Sequence, residues 1–206
     1  MANAMEHLNG NQICVIDTET TGLDPFYHEM IQIAILPLDA NLDPRQDVIP
    51  FYISLKPDHP ERIDREAMKV NKIMDLTKNG FDRLKAIDLL EEWVTKLKLP
   101  CTKYGTPKRI TPLGQNYTFD KTFIQAWMGN KSYEAFFHYH YRDTMIAANY
   151  LNDRAAFHAE VVPYSKVGLQ WLCRQHKIEN VRAHDALSDC VATAAVYKKM
   201  CQVGLF

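Results

Sequence analysis

Short apolar runs separated by polar turns occupy the first 55 residues, and the spacing of apolar positions then lengthens. Residues 13–16 form a β-branched run that ends at Asp17, and residues 30–38 and 48–55 form two further runs. Runs of this length, bounded by Pro, Asp and other turn formers, predict β-strands. Because the links between them are short, we predict an antiparallel meander.

Beyond this meander the pattern predicts helices alternating with strands. Helical spacing of apolar residues is expected over 65–73, 81–97, 116–128, 144–151, 169–176 and 186–201, and strands over 109–114 and 135–141. Residues 152–166 are polar and are expected to connect two helices. A meander followed by alternating helices and strands predicts one α/β domain with a mixed sheet. We assign this domain to residues 12–206 and regard residues 1–11 as a disordered or tag-like tail.

Composition narrows the function classes. The 206 residues are 47% hydrophobic and 24% charged, which is ordinary for one globular domain. No apolar run approaches the roughly 20 residues that span a bilayer, so no membrane partner is expected. Five scattered cysteines without a C-x-x-C pair predict reduced thiols and a cytoplasmic protein. A net charge of −1 argues against holding long duplexes by phosphate neutralisation, but permits gripping a few terminal nucleotides.

The first chemical motif is Asp17-Thr18-Glu19-Thr20-Thr21-Gly22-Leu23. Residues two apart on a strand project to one face, so Asp17 and Glu19 are placed to aim two carboxylates at one point. Two such groups repel each other unless a cation lies between them, and oxygen ligands suit Mg²⁺ or Mn²⁺. The alternative at this stage is a strand end carrying two solvated acids.

Two later segments carry further acids. Asn116 precedes a predicted helix with Asp120 in its first turn, and helix capping alone would explain both. His184 and Asp189 flank the start of the last predicted helix, where Asp185 is the expected cap. Histidine titrates near neutral pH and can serve as a general base beside a metal-binding carboxylate. A cap with a solvated neighbour is again the simpler alternative.

Taken in order, the three motifs resemble those of the DEDDh 3′→5′ exonuclease superfamily, which includes proofreading subunits, ribonuclease T and oligoribonuclease. The first resembles residues 17–23, the second 116–120 and the third 184–189. The similarity extends from about residue 13 to 196. It departs at Gln115, where many relatives have His or Gly, and is weaker over 130–166.

The resemblance implies a ribonuclease H-like fold, a mixed five-stranded sheet flanked by helices, and hydrolysis at two divalent cations, Mg²⁺ or Mn²⁺. Asp17 would bridge both cations, with Glu19 and Asp189 completing one site. Asp120 would help to hold the second site, and His184 would accept a proton from the attacking water. Nucleoside 5′-monophosphates would leave from the 3′ end.

The resemblance also suggests substrate contacts. The backbone after the first acidic pair would meet the terminal sugar and an apolar residue would wedge against the base; the expected contacts are Thr20, Thr21, Gly22, Leu23, Asn116 and Tyr117. Packing of Leu23 on the core is the alternative. We expect 3′ ends of single-stranded DNA as substrate, with an exoribonuclease or oligoribonuclease, or an inactive nucleic-acid-binding or polymerase-docking module, as alternatives. A polymerase partner or a homodimer is left open.

Overall fold

The computed structural model describes residues 10–67 and 79–202. Its core is a five-stranded sheet in the order β3-β2-β1-β4-β5. The strands are β1 (Ile13–Thr20), β2 (Met30–Pro37), β3 (Phe51–Ser54), β4 (Thr111–Gly114) and β5 (Arg142–Asp143). The predicted mixed sheet is therefore confirmed, with β1 as its central strand.

Strand pairing follows the predicted meander. β1 pairs antiparallel with β2, and β2 pairs antiparallel with β3. β4 then lies parallel to β1 on its other side, and β5 continues in parallel beyond β4. The register between β1 and β2 shifts between Glu19 and Thr20. Such irregularities bend a strand, and this one lies where the acidic motif meets the following turn.

Helices cover both faces of the sheet. They are α1 (Arg83–Lys96), α2 (Tyr117–Met128), α3 (Asn130–Phe136), α4 (Thr144–Phe157), α5 (Leu169–His176) and α6 (Ala186–Gln202), with a 3₁₀ turn at Pro60–Arg62. Within the described ranges, none of these helices combines the length and apolarity that crossing a membrane requires.

The two faces of β1 belong to different cores. Cys14 and Ile16 lie in the cluster that includes α1 and α2, whereas Ile13 and Val15 pack with residues of α6. Because side chains alternate along a strand, Asp17 follows the odd-numbered set towards α6. The alternation of side chains along β1 therefore decides that Asp17 faces α6.

Small residues let α6 lie close to the sheet. Ala186, Cys190 and Ala194 recur at four-residue spacing in the core shared with β1 and β2. The Sγ of Cys190 lies 3.6 Å from the carbonyl oxygens of both Val15 and Ala34, so a side chain of this helix contacts the backbone of the sheet.

The strand predicted over 135–141 is wrong. Gly129, with φ of +82°, ends α2 and the chain enters α3 instead. Tyr133 and Phe137 are buried with ring centroids 5.0 Å apart, at a four-residue separation that is helical and not strand-like. Phe137 contributes a single bridge to Ile110, and the edge strand β5 begins only at Arg142.

Two other boundaries differ from the prediction. Helix α4 continues to Phe157, into the segment predicted as a polar connection. Asn11 was assigned to the tail, but it is buried and its Oδ1 accepts a hydrogen bond from the Arg109 backbone N–H. The helix predicted over 65–73 is helical at 65–67, and its remainder lies outside the described residues, as do residues 1–9 of the predicted tail.

Candidate active site

Three carboxylates meet at the carboxyl end of β1. Asp17 and Glu19 project from the strand, and Asp189 lies in the first turn of α6, which packs on the same face. One oxygen from each side chain can be chosen so that all three lie within 4.8 Å of one another. The structure thus brings together acids separated by about 170 residues in the chain.

Asp120 approaches from the opposite face of the sheet. Its Oδ1 accepts hydrogen bonds from the backbone N–H of Thr18, at 2.8 Å, and from the Thr18 hydroxyl, at 2.7 Å. Thr18 points towards α2 because it alternates with Asp17 and Glu19 along the strand. Asp120 is therefore fixed to the strand beside the three-carboxylate cluster without being a member of it.

Burial and mutual repulsion raise the pKa values of these carboxyl groups. For Asp17 the main cause is desolvation, followed by the negative charge of Asp120. Desolvation, with the Asp189 charge second, raises the pKa of Glu19 to about 8. Desolvation also raises the pKa of Asp120 to about 7, against the hydrogen bonds from Thr18 that lower it, and it raises the pKa of Asp189. Charged carboxylates are thus unfavourable here in the protein alone.

This donor set fits a divalent cation. The cluster offers only carboxylate oxygens, the hard ligands that Mg²⁺ and Mn²⁺ accept in proteins. A bound cation would favour the charged carboxylates and so lower the pKa values that desolvation raises. The acidic cluster is therefore compatible with divalent metal binding at Asp17, Glu19 and Asp189.

Asp189 is held by a network that the motifs did not reveal. Asn180 Nδ2 donates to Asp189 Oδ1 at 2.5 Å, and the backbone N–H of His184 donates to Oδ2 at 3.1 Å. The Ser188 hydroxyl in turn donates to Asn180 Oδ1 at 2.9 Å. These bonds fix the carboxylate orientation, which is the role that groups behind metal ligands play.

His184 lies on the turn before α6, in a left-handed conformation with φ of 64°. The residue is exposed. Asp185 caps the helix as predicted, because its Oδ1 accepts the Ser188 N–H. The left-handed region is uncommon for residues other than Gly, Asn, Asp and His, so the backbone at His184 restricts what can replace it.

A polar network from the sheet edge supports the start of α6. Gln32 is almost fully buried in β2, and its Oε1 accepts the Ala186 N–H. Its Nε2 donates to the Tyr52 hydroxyl, which donates to Asp185 Oδ2 at 2.5 Å. The motifs missed these residues, although one glutamine within an otherwise apolar strand was a signal for a buried polar contact.

The turn after β1 presents an apolar side chain to solvent. Thr20 Oγ1 donates to the Gly22 carbonyl oxygen at 2.6 Å, and Thr21 Oγ1 accepts the Glu29 N–H. Leu23 is 82% exposed, so its alternative interpretation as a core residue is wrong. A Cβ at Gly22 would lie 2.3 Å from the His28 ring, so a larger residue there would have to displace that ring.

The second motif behaves differently from prediction. Asn116 is exposed but has φ of 58° and makes no side-chain cap bond. Asp143 supplies the cap, because its carboxylate accepts the N–H groups of Asn116 and Tyr117 as well as two at the start of α4. Tyr117 is fully buried and its hydroxyl bonds that of Tyr133, so it has no exposed ring face and the expected base contact is wrong.

Comparisons with known proteins agree with this geometry. The RNase_T family profile, described as exonuclease, matches residues 14–103. The oligoribonuclease of Halorhodospira halophila is 30% identical over 130 residues, covering 62% of this chain and 67% of that protein.

Solved structures show the same fold. Cell-death related nuclease 4 superposes with a TM-score of 0.70 at 17% identity, over 94% of this chain and 64% of its own. E. coli exonuclease I in complex with a dT13 oligonucleotide gives a TM-score of 0.65 at 19% identity, over 92% of this chain. This chain spans only 40% of that exonuclease I chain.

The sheet, the carboxylate cluster and these relatives define an exonuclease domain, a hydrolase of phosphodiester bonds. More particularly, the chain belongs to the DEDDh superfamily of 3′→5′ exonucleases. The resemblance in the sequence motifs is thereby confirmed.

Proposed function

We propose that this domain shortens single-stranded nucleic acid from its 3′ end, with two divalent cations bound by the carboxylates around β1. The observation that carries the proposal is the convergence of Asp17, Glu19 and Asp189 within 4.8 Å. Two divalent cations bound here would supply positive charge against the scissile phosphate and acidify the attacking water.

Each acidic side chain has a separate task in this proposal. The charges of both Asp120 and Asp189 act on Asp17, so Asp17 would be the ligand that the two cations share. Glu19 and Asp189 would hold one cation. Asp120 would support the other from the α2 side, where its bonds to Thr18 keep one oxygen oriented.

His184 is the proposed general base. Its backbone N–H bonds Asp189, so the imidazole is carried on a turn directly attached to the carboxylate cluster. Either ring nitrogen, when neutral, can accept a proton from water. The exposed position lets the ring exchange that proton with solvent between turnovers.

Leu23 is the proposed wedge at the terminal base. It is exposed on the turn that follows Glu19, and the hydrogen bonds of Thr20 and Thr21 fix that turn. The backbone of residues 20–22 and the exposed Asn116 remain proposed contacts to the substrate strand. An apolar side chain held in this way can stack against any base without reading its sequence.

Short RNA is a second candidate substrate beside DNA. The relative from Halorhodospira halophila is named an oligoribonuclease, and its likeness covers 67% of that protein. The similarity to a DNA-bound exonuclease I concerns the fold alone. We therefore propose 3′-end hydrolysis of short single strands, with RNA and DNA as candidates of equal weight.

A gel assay tests the proposal. Matched 5′-labelled single-stranded RNA and DNA are incubated with Mg²⁺, Mn²⁺ or EDTA and resolved at single-nucleotide resolution. We expect ladders that shorten from the 3′ end with either metal and no products in EDTA. Asp17→Asn serves as the inactive control for a contaminating nuclease. Binding of both strands without cleavage by the wild-type protein would refute the proposal in favour of a binding module.

The assembly remains a prediction. A polymerase partner, a homodimer and a cytoplasmic location are all compatible with the domain of residues 12–206. Light scattering after size exclusion measures the mass in solution directly, and a mass near twice 23.8 kDa would establish the homodimer.

A further inference from the structure

Two rows of side chains cross the sheet beneath the start of α6. In the first row Asp17 lies opposite Ala34, and Ala34 lies opposite Tyr52. In the second row Glu19 lies opposite Gln32. Side chains of directly paired residues project to one face of an antiparallel sheet. Strands β2 and β3 therefore place two polar, uncharged side chains, Gln32 and Tyr52, on the face that carries the two carboxylates of β1.

A directional chain of hydrogen bonds joins these two side chains to the start of α6. The Gln32 Oε1 accepts the backbone N–H of Ala186 at 3.0 Å, and the Gln32 Nε2 donates to the Tyr52 hydroxyl oxygen at 3.2 Å. That hydroxyl in turn donates to Asp185 Oδ2 at 2.5 Å. Because a backbone N–H can only donate, the amide oxygen of Gln32 must face Ala186 and its amide nitrogen must face Tyr52. The direction of each later bond follows from that one donor.

This chain of bonds fixes the turn that carries His184. Asp185 and Ala186 directly follow His184, and both are bonded to side chains of the sheet. Gln32 is 1% exposed, so the bond that it accepts from Ala186 is shielded from water. The other carboxylate oxygen of Asp185 accepts the Ser188 N–H. Strands β2 and β3 therefore set the position of the backbone that follows His184.

The carboxylate of α6 has a support of its own. Asn180 Nδ2 donates to Asp189 Oδ1, and this bond does not involve the sheet. The Tyr52 hydroxyl bonds Gln32 and Asp185 instead. Removing that hydroxyl therefore frees the turn at Asp185 while Asp189 keeps the bond from Asn180.

We propose that Tyr52 is a positioning residue for His184 and acts through Asp185. This role rests on the proposed function, in which the His184 imidazole accepts a proton from the attacking water. His184 is exposed, so the order of its backbone must come from the residues beside it in the turn. A general base has to lie within hydrogen-bonding reach of the water that it deprotonates, so the rate of hydrolysis depends on where this turn lies.

Steady-state kinetics test the role of the hydroxyl. Tyr52→Phe removes the hydroxyl and keeps the ring, and we expect kcat to fall about 10–100-fold. KM for a trinucleotide and the Kd for Mn²⁺ should be nearly unchanged, because neither the substrate contacts nor the cation ligands are altered. The matched control is Tyr164→Phe, which deletes a hydroxyl bonded to His176 Nε2 at 3.0 Å and should keep the wild-type kcat.

Two kinetic results would overturn the inference. A wild-type kcat in Tyr52→Phe would show that the hydroxyl does not position the base. A raised KM with an unchanged kcat would identify Tyr52 as a substrate contact instead.

A double-mutant cycle distinguishes positioning of the base from a general loss of order. His184→Asn removes the imidazole, so Tyr52→Phe should lower kcat little further in that background. An equally large effect of Tyr52→Phe with and without the imidazole would contradict the inference, since the hydroxyl would then act through the cations or the fold.

Amide hydrogen exchange tests the contact without catalysis. In Tyr52→Phe the Gln32 amide loses one of its two partners, so we expect the Ala186 N–H in EDTA to exchange about 5-fold faster than in the wild type. Amides of β1 serve as the internal control and should exchange at wild-type rates. Equal exchange at Ala186 in both proteins would overturn the positioning role. The wild-type 3′-end ladder reports on the exonuclease proposal separately, so failure of one proposal is distinguishable from failure of the other.

Discussion

At the scale of single residues, the burial of carboxyl groups dominates this site. Asp17, Glu19 and Asp189 are brought together with raised pKa values, chiefly because they are desolvated. The charge of Asp120 raises the pKa of Asp17 further, and that of Asp189 raises the pKa of Glu19. A protein rarely keeps such a cluster for stability, since each carboxylate would be more favourable in water. The arrangement becomes favourable when a cation provides the missing positive charge.

Neutralising Asp17 should stabilise the metal-free protein. A raised pKa means that the folded state holds protons which the unfolded chain releases near pH 4. The free energy of unfolding that this proton binding contributes is lost as pH rises through about 7 and 8, the pKa values of Asp120 and Glu19. In EDTA, Asp17→Asn should make the free energy of unfolding decrease less as pH rises, and it should raise Tm at pH 8 by roughly 2–8 °C. Thermal unfolding from pH 6 to 9 measures it, with the exposed Asp153→Asn as control. A lower Tm for Asp17→Asn would contradict the repulsion argument.

Replacing His184 tests the proposed base. Asn also tolerates the left-handed backbone, so His184→Asn removes the imidazole without imposing new strain. We expect kcat to fall about 10²–10⁴-fold while Mn²⁺ affinity, measured calorimetrically, stays within a few-fold of the wild type. Loss of metal binding together with activity would identify His184 as a ligand.

Asn180 should act through Asp189. Asn180→Ala removes the 2.5 Å bond that orients the carboxylate, and we expect metal affinity or activity to fall about 10–100-fold. Ser188→Ala removes only the support behind Asn180, so its effect should be smaller. Calorimetric Mn²⁺ titration of both variants, compared with their kcat, measures this order. A larger defect in Ser188→Ala would refute the proposed chain of contacts.

At the scale of elements, the site depends on how closely α6 approaches the sheet. Cys190 lies against the backbone of β1 and β2 and is followed by Ala194 one turn later. Asp189 precedes Cys190 directly, so any displacement of the helix also displaces a carboxylate. Packing of small residues and the position of the cluster are therefore coupled.

A larger residue at Cys190 should weaken both stability and activity. Cys190→Leu inserts extra volume between helix and sheet and should cost about 1–3 kcal/mol. Activity should fall more than 10-fold even where the protein is fully folded, because Asp189 moves with its helix. The matched control is Cys201→Leu, the same substitution at an exposed position of α6. Urea unfolding measures the loss of stability, and initial rates measure the loss of activity. An unchanged rate would show that the packing at Cys190 does not determine the position of Asp189.

At the scale of the whole molecule, the cluster joins parts of the chain that are distant in sequence. β1 contributes two carboxylates to the cluster and α6 one, and Thr18 ties Asp120 of α2 to β1 beside it. Asp143 caps α2 and α4 together, which fixes α2 relative to the sheet edge. Binding of a cation at the cluster would therefore stabilise the contacts between these elements.

Divalent cations should raise the unfolding temperature of the wild-type protein. A ligand at 100 times its Kd stabilises the folded state by about 2.7 kcal/mol per site, which corresponds to roughly 5–11 °C at this size. Calorimetric scans with Mn²⁺ and with EDTA measure the shift, and Asp17→Asn should show little of it. Equal shifts in both proteins would show that the cations bind elsewhere.

Much of the fold and of the cluster followed from local sequence. The apolar runs predicted β1 to β3, and the strand period predicted that Asp17 and Glu19 share a face. The strand predicted over 135–141 is wrong because Tyr133 and Phe137 pack at helical spacing. A short apolar segment does not by itself distinguish the helical period from the strand period. The predicted base contact by Tyr117 is wrong because the burial of this side chain depends on Tyr133, a contact made only in the folded chain.

The sequence alone determined the kinds of groups at the site and their order, since strand alternation and helix capping are local properties of the chain. Tertiary structure alone decided that Asp120 approaches through Thr18 and that Asn180 orients Asp189. It also buried the Trp127 N–H without a hydrogen-bond partner among the described residues. These features arise where separate elements pack, and the position of one element against another is set by the whole core.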